Sequence, residues 1–420
     1  MSDRRLSGRL VAVLVMFALV AGACGDDSGG GETSDTAVPA PTESTTTTAP
    51  AADSPEGAAG PASALRADLT SLLQEHVYLA GLTLEQDLDD GGDVEAVGTA
   101  RASAALDENS VDLSVAIGSL YGVGAGDQFL ELWRTHIGFF VDYTLAAATG
   151  DDAAADAARA DLEGYGQDFG AFLSSANELL TVDAVAAELE HHVESLLGAI
   201  DLFVADDPAA WSALRDAAQA MPGTALTLAD AIAEQKAIEG DVTSGPSTLR
   251  ADLTNLLQDH LYLAGAAIAQ TVEDGGDVDA AGAAAAIGAL DENSVALADA
   301  IAGLYGEAAG DQFLELWRTH IGFFVDYALA TATDDADSAT EAREGLMEYR
   351  EDFGAFLASA NDLLTKEAVA AELQPHVDTF FAAIDAIVAG SPDRFELLRE
   401  AGQVMPGTAL TLATSLQIDL

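Results

Sequence analysis

The chain contains one stretch twice, and that duplication limits its possible folds more than any other feature. Residues 125–143 read AGDQFLELWRTHIGFFVDY, and residues 309–327 repeat the same nineteen letters. The offset of 184 holds without insertion or deletion from Leu65 and Leu249 through Trp133 and Trp317 to Met221 and Met405. A repeat of this length is two copies of one folding unit, each long enough at about 170 residues to bury its own core. The expected organisation is residues 63–236 as a first unit, 237–246 as a linker and 247–420 as a second unit, the two standing as separate domains.

Within each copy apolar residues recur at helical spacing and no stretch alternates with period two, so the expected fold class is all-α. Six helices are expected per copy. The first runs from Ser63 through Leu69, Leu73 and His76 to the Gly91-Gly92 turn. The second ends at Tyr121-Gly122, where glycine suits a helix C-terminus. The repeated stretch is the third, and the fourth carries Tyr165, Phe169 and Phe172 and stops near Asn177. Thr181 and Asp183 suit the start of the fifth. Pro208 suits the first turn of a sixth, which Met221-Pro222-Gly223 kinks or breaks. Short connections make consecutive helices antiparallel neighbours, so each unit is expected to be three helical hairpins forming a six-helix bundle.

The first 62 residues differ in kind. Arg4, Arg5 and Arg9 precede an apolar run from Leu10 to Val20, followed by Ala21-Gly22-Ala23-Cys24. A basic start, a short apolar run and small residues make an export signal over residues 1–23, and the run is too short to span a membrane. Small residues followed by Cys24, the only cysteine, resemble the lipobox of bacterial lipoprotein precursors, although Ala21 stands where Leu or Val is usual. That resemblance, confined to residues 1–24, implies cleavage before Cys24, lipidation of Cys24 and a location on the outer face of the cell membrane. Residues 24–62, rich in Gly, Thr, Pro and Ala, cannot build a core and are expected to be a disordered tether.

With a formal net charge of −55 and Lys236 and Lys366 as its only lysines, the chain would repel nucleic acid. Several chemistries are excluded by spacing. There is no phosphate-cradling glycine motif, paired-cysteine metal motif or nucleophile elbow. The acidic loop at Asp87–Asp93 lacks the EF-hand pattern, because Gly98 falls at the twelfth place and Thr271 at the first place of the second copy.

Seven histidines remain. Six form matched triplets, His76, His136 and His192 against His260, His320 and His376, while His191 is answered by Pro375. The members of a triplet lie on the first, third and fifth helices, each about fifteen residues before the turn ending its helix, and so at similar depth. Neighbours three and four residues away are apolar around His76 and His136, and include Leu189 and Leu196 beside Glu188 for His192, whereas His191 has Glu188, Glu194 and Ser195. This pattern is expected to place the triplets inside and His191 outside. Asn109 and Asp168, repeated as Asn293 and Asp352, and Thr224, repeated as Thr408, are expected to supply oxygen and amide groups at the same level.

Such a layer has three readings. It is a metal site, Zn²⁺ or Cu²⁺, one per unit, with Asn109, Asp168, Asn293 and Asp352 supporting the ligands. Or it is a hydrogen-bonded network fixing helix register, with histidine paired to Asp168 or Glu75. Or it lines a cavity for an organic ligand or haem. A di-iron site needs Glu-x-x-His, a spacing that Glu188 and His191 offer in the first copy and Pro375 removes in the second. The helix pattern looks like uncharacterised bacterial all-helical proteins, which implies a fold and no activity. The function expected is a surface-anchored binding module, with a metal-dependent enzyme and a purely structural or partner-binding protein as alternatives.

Overall fold

The computed structural model describes residues 56–361 and 364–416. The expected export signal, Cys24 and most of the expected tether lie outside the described residues. Among those described, the regular structure is helical, without strands. A short α1, Glu56–Ala59, precedes the first copy: α2 (Pro61–Asp89), α3 (Val97–Tyr121), α4 (Val123–Thr149), α5 (Asp152–Ala176), α6 (Val182–Val204), α7 (Ala210–Gln219) and α8 (Met221–Lys236). The second copy repeats them as α9 (Gly245–Glu273), α10 (Ala281–Tyr305), α11 (Glu307–Ala332), α12 (Ala336–Ala360), α13 (Lys366–Val388), α14 (Arg394–Gly402) and α15 (Met405–Leu416).

Local chemistry sets most boundaries. The Asp151 and Thr181 side chains accept from the backbone amides of Ala154 and Ala184, each occupying one of the donors a helix start leaves open. Gly122, at φ 93°, joins α3 directly to α4, a backbone conformation that residues with a Cβ rarely adopt. Just beyond it the two helices nearly touch: a Cβ on Gly126 would lie 2.7 Å from the Ser114 carbonyl oxygen. The expected sixth helix is two helices, α7 and α8, separated at Ala220, with Pro222 in the first turn of α8, where its missing N–H costs nothing. Pro208 lies before the α7 N-cap residue Ala209, not inside the first turn.

The repeated stretch on α4 is not the centre of the molecule. That place belongs to α2 and α9. Twenty of the 29 residues of α2 are buried, on every side of the helix, whereas α4 buries only one stripe. A helix covered all round must have neighbours all round. Those of α2 are chiefly α3, α4, α6, α7 and α8 of its own copy and α9 of the other, with α1, α14 and α15 touching it as well.

The two copies are therefore not separate domains. The described residues fall in one compact unit, with a continuous apolar core through both copies. The joint is a pseudo-two-fold pair of parallel helices. Gln74 donates to Asn255 at 2.6 Å and Gln258 donates to Ser71 at 3.2 Å, which are equivalent positions exchanged between copies. Tyr78 and Tyr262 stack with ring centroids 5.2 Å apart. Each phenol donates to a carboxylate of the other copy, Tyr78 to Asp259 and Tyr262 to Glu75. An arginine from the far end of each copy completes the exchange: Arg215 lies 3.0 Å from Asp259, and Arg399 lies 3.4 Å from Glu75 and also pairs with Asp112. Polar residues that one copy alone would leave wet are satisfied by the other.

Candidate metal centre

The helices α2, α4 and α6 meet one another inside the first copy, and each contributes one histidine at the level where they meet. Which residue points inward follows from rotation by about 100° per residue. On α2, His76 faces the core of its copy while Glu75, one residue earlier, faces α9. On α6, His192 is buried and His191 exposed, as their neighbours suggest.

The three imidazoles converge. His76 Nε2 and His136 Nε2 are 3.3 Å apart, and one nitrogen from each of the three rings, His192 included, lies within 4.8 Å of the other two. The second copy reproduces this: His320 Nε2 and His260 Nε2 are 3.3 Å apart, with His376 in the same relation. Two nitrogens each ~2.0–2.1 Å from a tetrahedral ion are about 3.3–3.4 Å apart, so the observed pair has the edge length of a zinc site. The same two nitrogens are also within hydrogen-bond reach of each other.

The remaining nitrogens are the more telling feature. His76 Nδ1, His136 Nδ1 and both ring nitrogens of His192 are buried without a hydrogen-bond partner, as are His260 Nδ1, His320 Nδ1 and His376 Nδ1. If the facing Nε2 atoms share one proton, one of those two rings still carries an Nδ1–H with no acceptor. Buried polar groups left unpaired cost about 1–3 kcal/mol each, so a purely structural network is an expensive way to fill this space. The rings are held by aromatic packing instead. Trp133 lies against His76 and His136, with centroids 4.7 and 4.5 Å away, and Tyr165 stacks on His136 at 5.0 Å.

All six imidazoles are driven towards their neutral form, chiefly by burial. In the first copy it holds His76 well below the usual imidazole range, His136 down at about 3 and His192 at about 4, with neighbouring histidines adding to the effect. The Trp133 backbone carbonyl beside His136 acts in the opposite direction, but does not meet hydrogen-bond geometry at Nδ1. In the second copy His260 lies at about 3, His320 well below the usual range and His376 at about 4. Neutral imidazole is the ligating form.

Acid should consequently destabilise the metal-free chain. Unfolded histidines take up protons near pH ~6.5, whereas in the folded chain His136 does so only at about 3 and His192 at about 4, and His76 is also held well below the usual range. Between those limits the unfolded state binds more protons and stability falls as pH falls. Glu85, held up to about 8 by burial and by Asp89 and Glu273, runs the other way above its unfolded value. A comparison isolates the histidine contribution. From pH 6 to pH 4.5 the stability of His136→Gln should fall less steeply than that of the parent, by up to about 1.4 kcal/mol per pH unit. Equal slopes in urea melts would remove His136 from the account.

The expected supporting residues fare less well. Asp168 and Asp352 are exposed and lie outside the layer. Their positions sit about 90° from the middle of the stripe formed by Leu162, Tyr165, Phe169 and Phe172. Asn109 and Asn293 are buried beside the layer but serve the joint between copies. Asn109 donates to Glu75 Oε2 at 2.8 Å and to the Leu72 carbonyl oxygen, and Asn293 donates to Asp259 and the Leu256 carbonyl oxygen. Neither carboxylate of the proposed pairing meets a histidine, since Glu75 is engaged by Asn109, Tyr262 and Arg399. Thr224 is half-buried and Thr408 buried, on α8 and α15. Sequence reasoning overlooked Tyr165 and Tyr349, whose buried hydroxyls have no partner and whose rings cover His136 and His320. The only signal for them was their own repetition at the 184-residue offset.

Comparison with protein-family models, with curated proteins and with solved structures finds no match to the chain.

Proposed function

We propose that the chain is a bacterial surface lipoprotein whose helical part is a binding module for two transition-metal ions, Zn²⁺ or Cu²⁺, one per copy. The ligands are His76, His136 and His192 in the first copy and His260, His320 and His376 in the second. The observation that carries this reading is the convergence of three neutral imidazoles whose nitrogens find no other partner, repeated in both copies. Three imidazoles leave a fourth position on a tetrahedral ion open to a further ligand. The formal charge of −55 would concentrate cations near the surface.

Removing one ligand tests the assignment. His136→Ala should halve the zinc bound per chain and leave the second triplet filled, while His191→Ala on the solvent face should change nothing. Because the copies share a core, the circular dichroism of His136→Ala must first match the parent. Full stoichiometry in a folded His136→Ala protein would exclude this ligand set.

The export signal and Cys24 carry the surface assignment. Several acyl chains anchor a protein stably where one does so only marginally. Cys24→Ala should move the protein from the membrane to the soluble fraction. A mutant that still sediments with membranes would rule out the lipid anchor.

A further inference from the structure

A cavity of about 130 Å³ lies beside the first triplet, with His76 and His192 in its wall. Its other walls are mostly aliphatic and aromatic, with Leu73, Leu113, Ile117 and Phe129 among them. It is not sealed. Leu179, Glu188 and Thr227 line it and are exposed, which places a mouth between α6 and α8. One weak hydrogen bond crosses that mouth, from Thr224 Oγ1 to Glu188 Oε2 at 3.4 Å.

Three features together point to a ligand. The apolar inner part of a cavity of this size holds water poorly and has room for a molecule such as benzene, because water finds few polar partners against its aliphatic and aromatic walls. The polar side chains deep within it include His192, which is 5% exposed and has no hydrogen-bond partner at either nitrogen. And the cavity reaches two of the three imidazoles that would leave one position of a bound ion open. An ionic ligand would lose its hydration without compensation and is excluded.

We propose that this cavity admits a small uncharged molecule, no larger than about benzene, to the open side of the triplet, so that a lone-pair donor on the molecule completes the coordination of the metal. The second half of this statement rests on the metal reading above, and the first does not. The second copy repeats the relevant residues as Leu257, Leu297, Ile301, Phe313, His260 and His376, so variants are made in pairs.

The test uses benzene, which has no donor atom, and pyridine, which has the same shape and one. Calorimetry on the full chain at pH 7.5 should show benzene binding equally to metal-free and zinc-loaded protein. Pyridine should bind the zinc-loaded protein at least tenfold more tightly than the metal-free protein. Ala184→Phe, at an exposed position on the rim of the cavity, made together with Ala368→Phe at the equivalent exposed position of the second copy, should weaken benzene binding at least tenfold. Ile117→Phe with Ile301→Phe should do the same from the inner end. Crystals under xenon should show density against His76 and His192. No benzene binding together with no xenon in the cavity overturns the proposal, as does benzene binding that both pairs of variants leave unchanged. Benzene binding without any zinc uptake would retain the cavity and sink the metal reading. Zinc uptake with no metal-dependent gain for pyridine would show that the cavity does not open onto the ion, and would overturn the second half.

Discussion

Replacing Arg399 with alanine should cost about 3–5 kcal/mol, because it leaves a buried carboxylate without its cation. Arg399 is 8% exposed at the side chain and Glu75 2%, and the pair joins α14 of the second copy to α2 of the first. Burial raises the Glu75 pKa, and Arg399 is the largest influence holding it down, ahead of Asn109 and Tyr262. Removing the cation therefore drives Glu75 to take up a proton or to draw in water, and both loosen the joint. Glu75→Gln with Arg399→Met should recover much of the loss, since a neutral pair of similar volume needs no charge compensation. Chemical denaturation checks both, and it should show one transition for both copies, as a shared core requires. A loss below about 1 kcal/mol would mean that the pair is as weak as a surface ion pair.

Trp133→Ala should be of similar size, about 3–5 kcal/mol, for a different reason. Trp133 is 5% exposed and stacks on Phe129 at 5.0 Å, with His76, His136 and Phe169 on its other sides. Truncation would leave a cavity next to the triplet and free the imidazoles to change orientation. It should therefore weaken zinc binding as well as lower the thermal midpoint, while Trp211→Ala, far along the chain on α7, should lower the midpoint alone. An unchanged midpoint in Trp133→Ala would mean the indole does not pack as described.

The helical class, the helix ends at Gly122 and Asn177, and the common depth of the triplet residues were legible because they depend on local periodicity and chain length. The joint between the copies was not. Gln74 and Tyr78 carry no signal within one copy, and Glu75 was expected to pair with a histidine of its own copy; instead all three meet side chains of the other copy. A trace was present nonetheless, since Arg215 and Arg399, like Glu75 and Asp259, keep matching positions at the 184-residue offset. Asp168 and Asp352 show the opposite error. Both copies kept them, and aromatic neighbours bracket them, yet a quarter turn of the helix sets them in solvent. Retention in two copies marks a constraint without saying which face of the helix it acts on.

The most direct test of the metal assignment is the metal content of the full chain after zinc loading and dialysis, with the ions located by anomalous diffraction. The account predicts about two ions per chain, one between His76, His136 and His192 and one between His260, His320 and His376. Fewer than about 0.2 ions per chain at pH 7.5, or ions found only at exposed carboxylates, would contradict it.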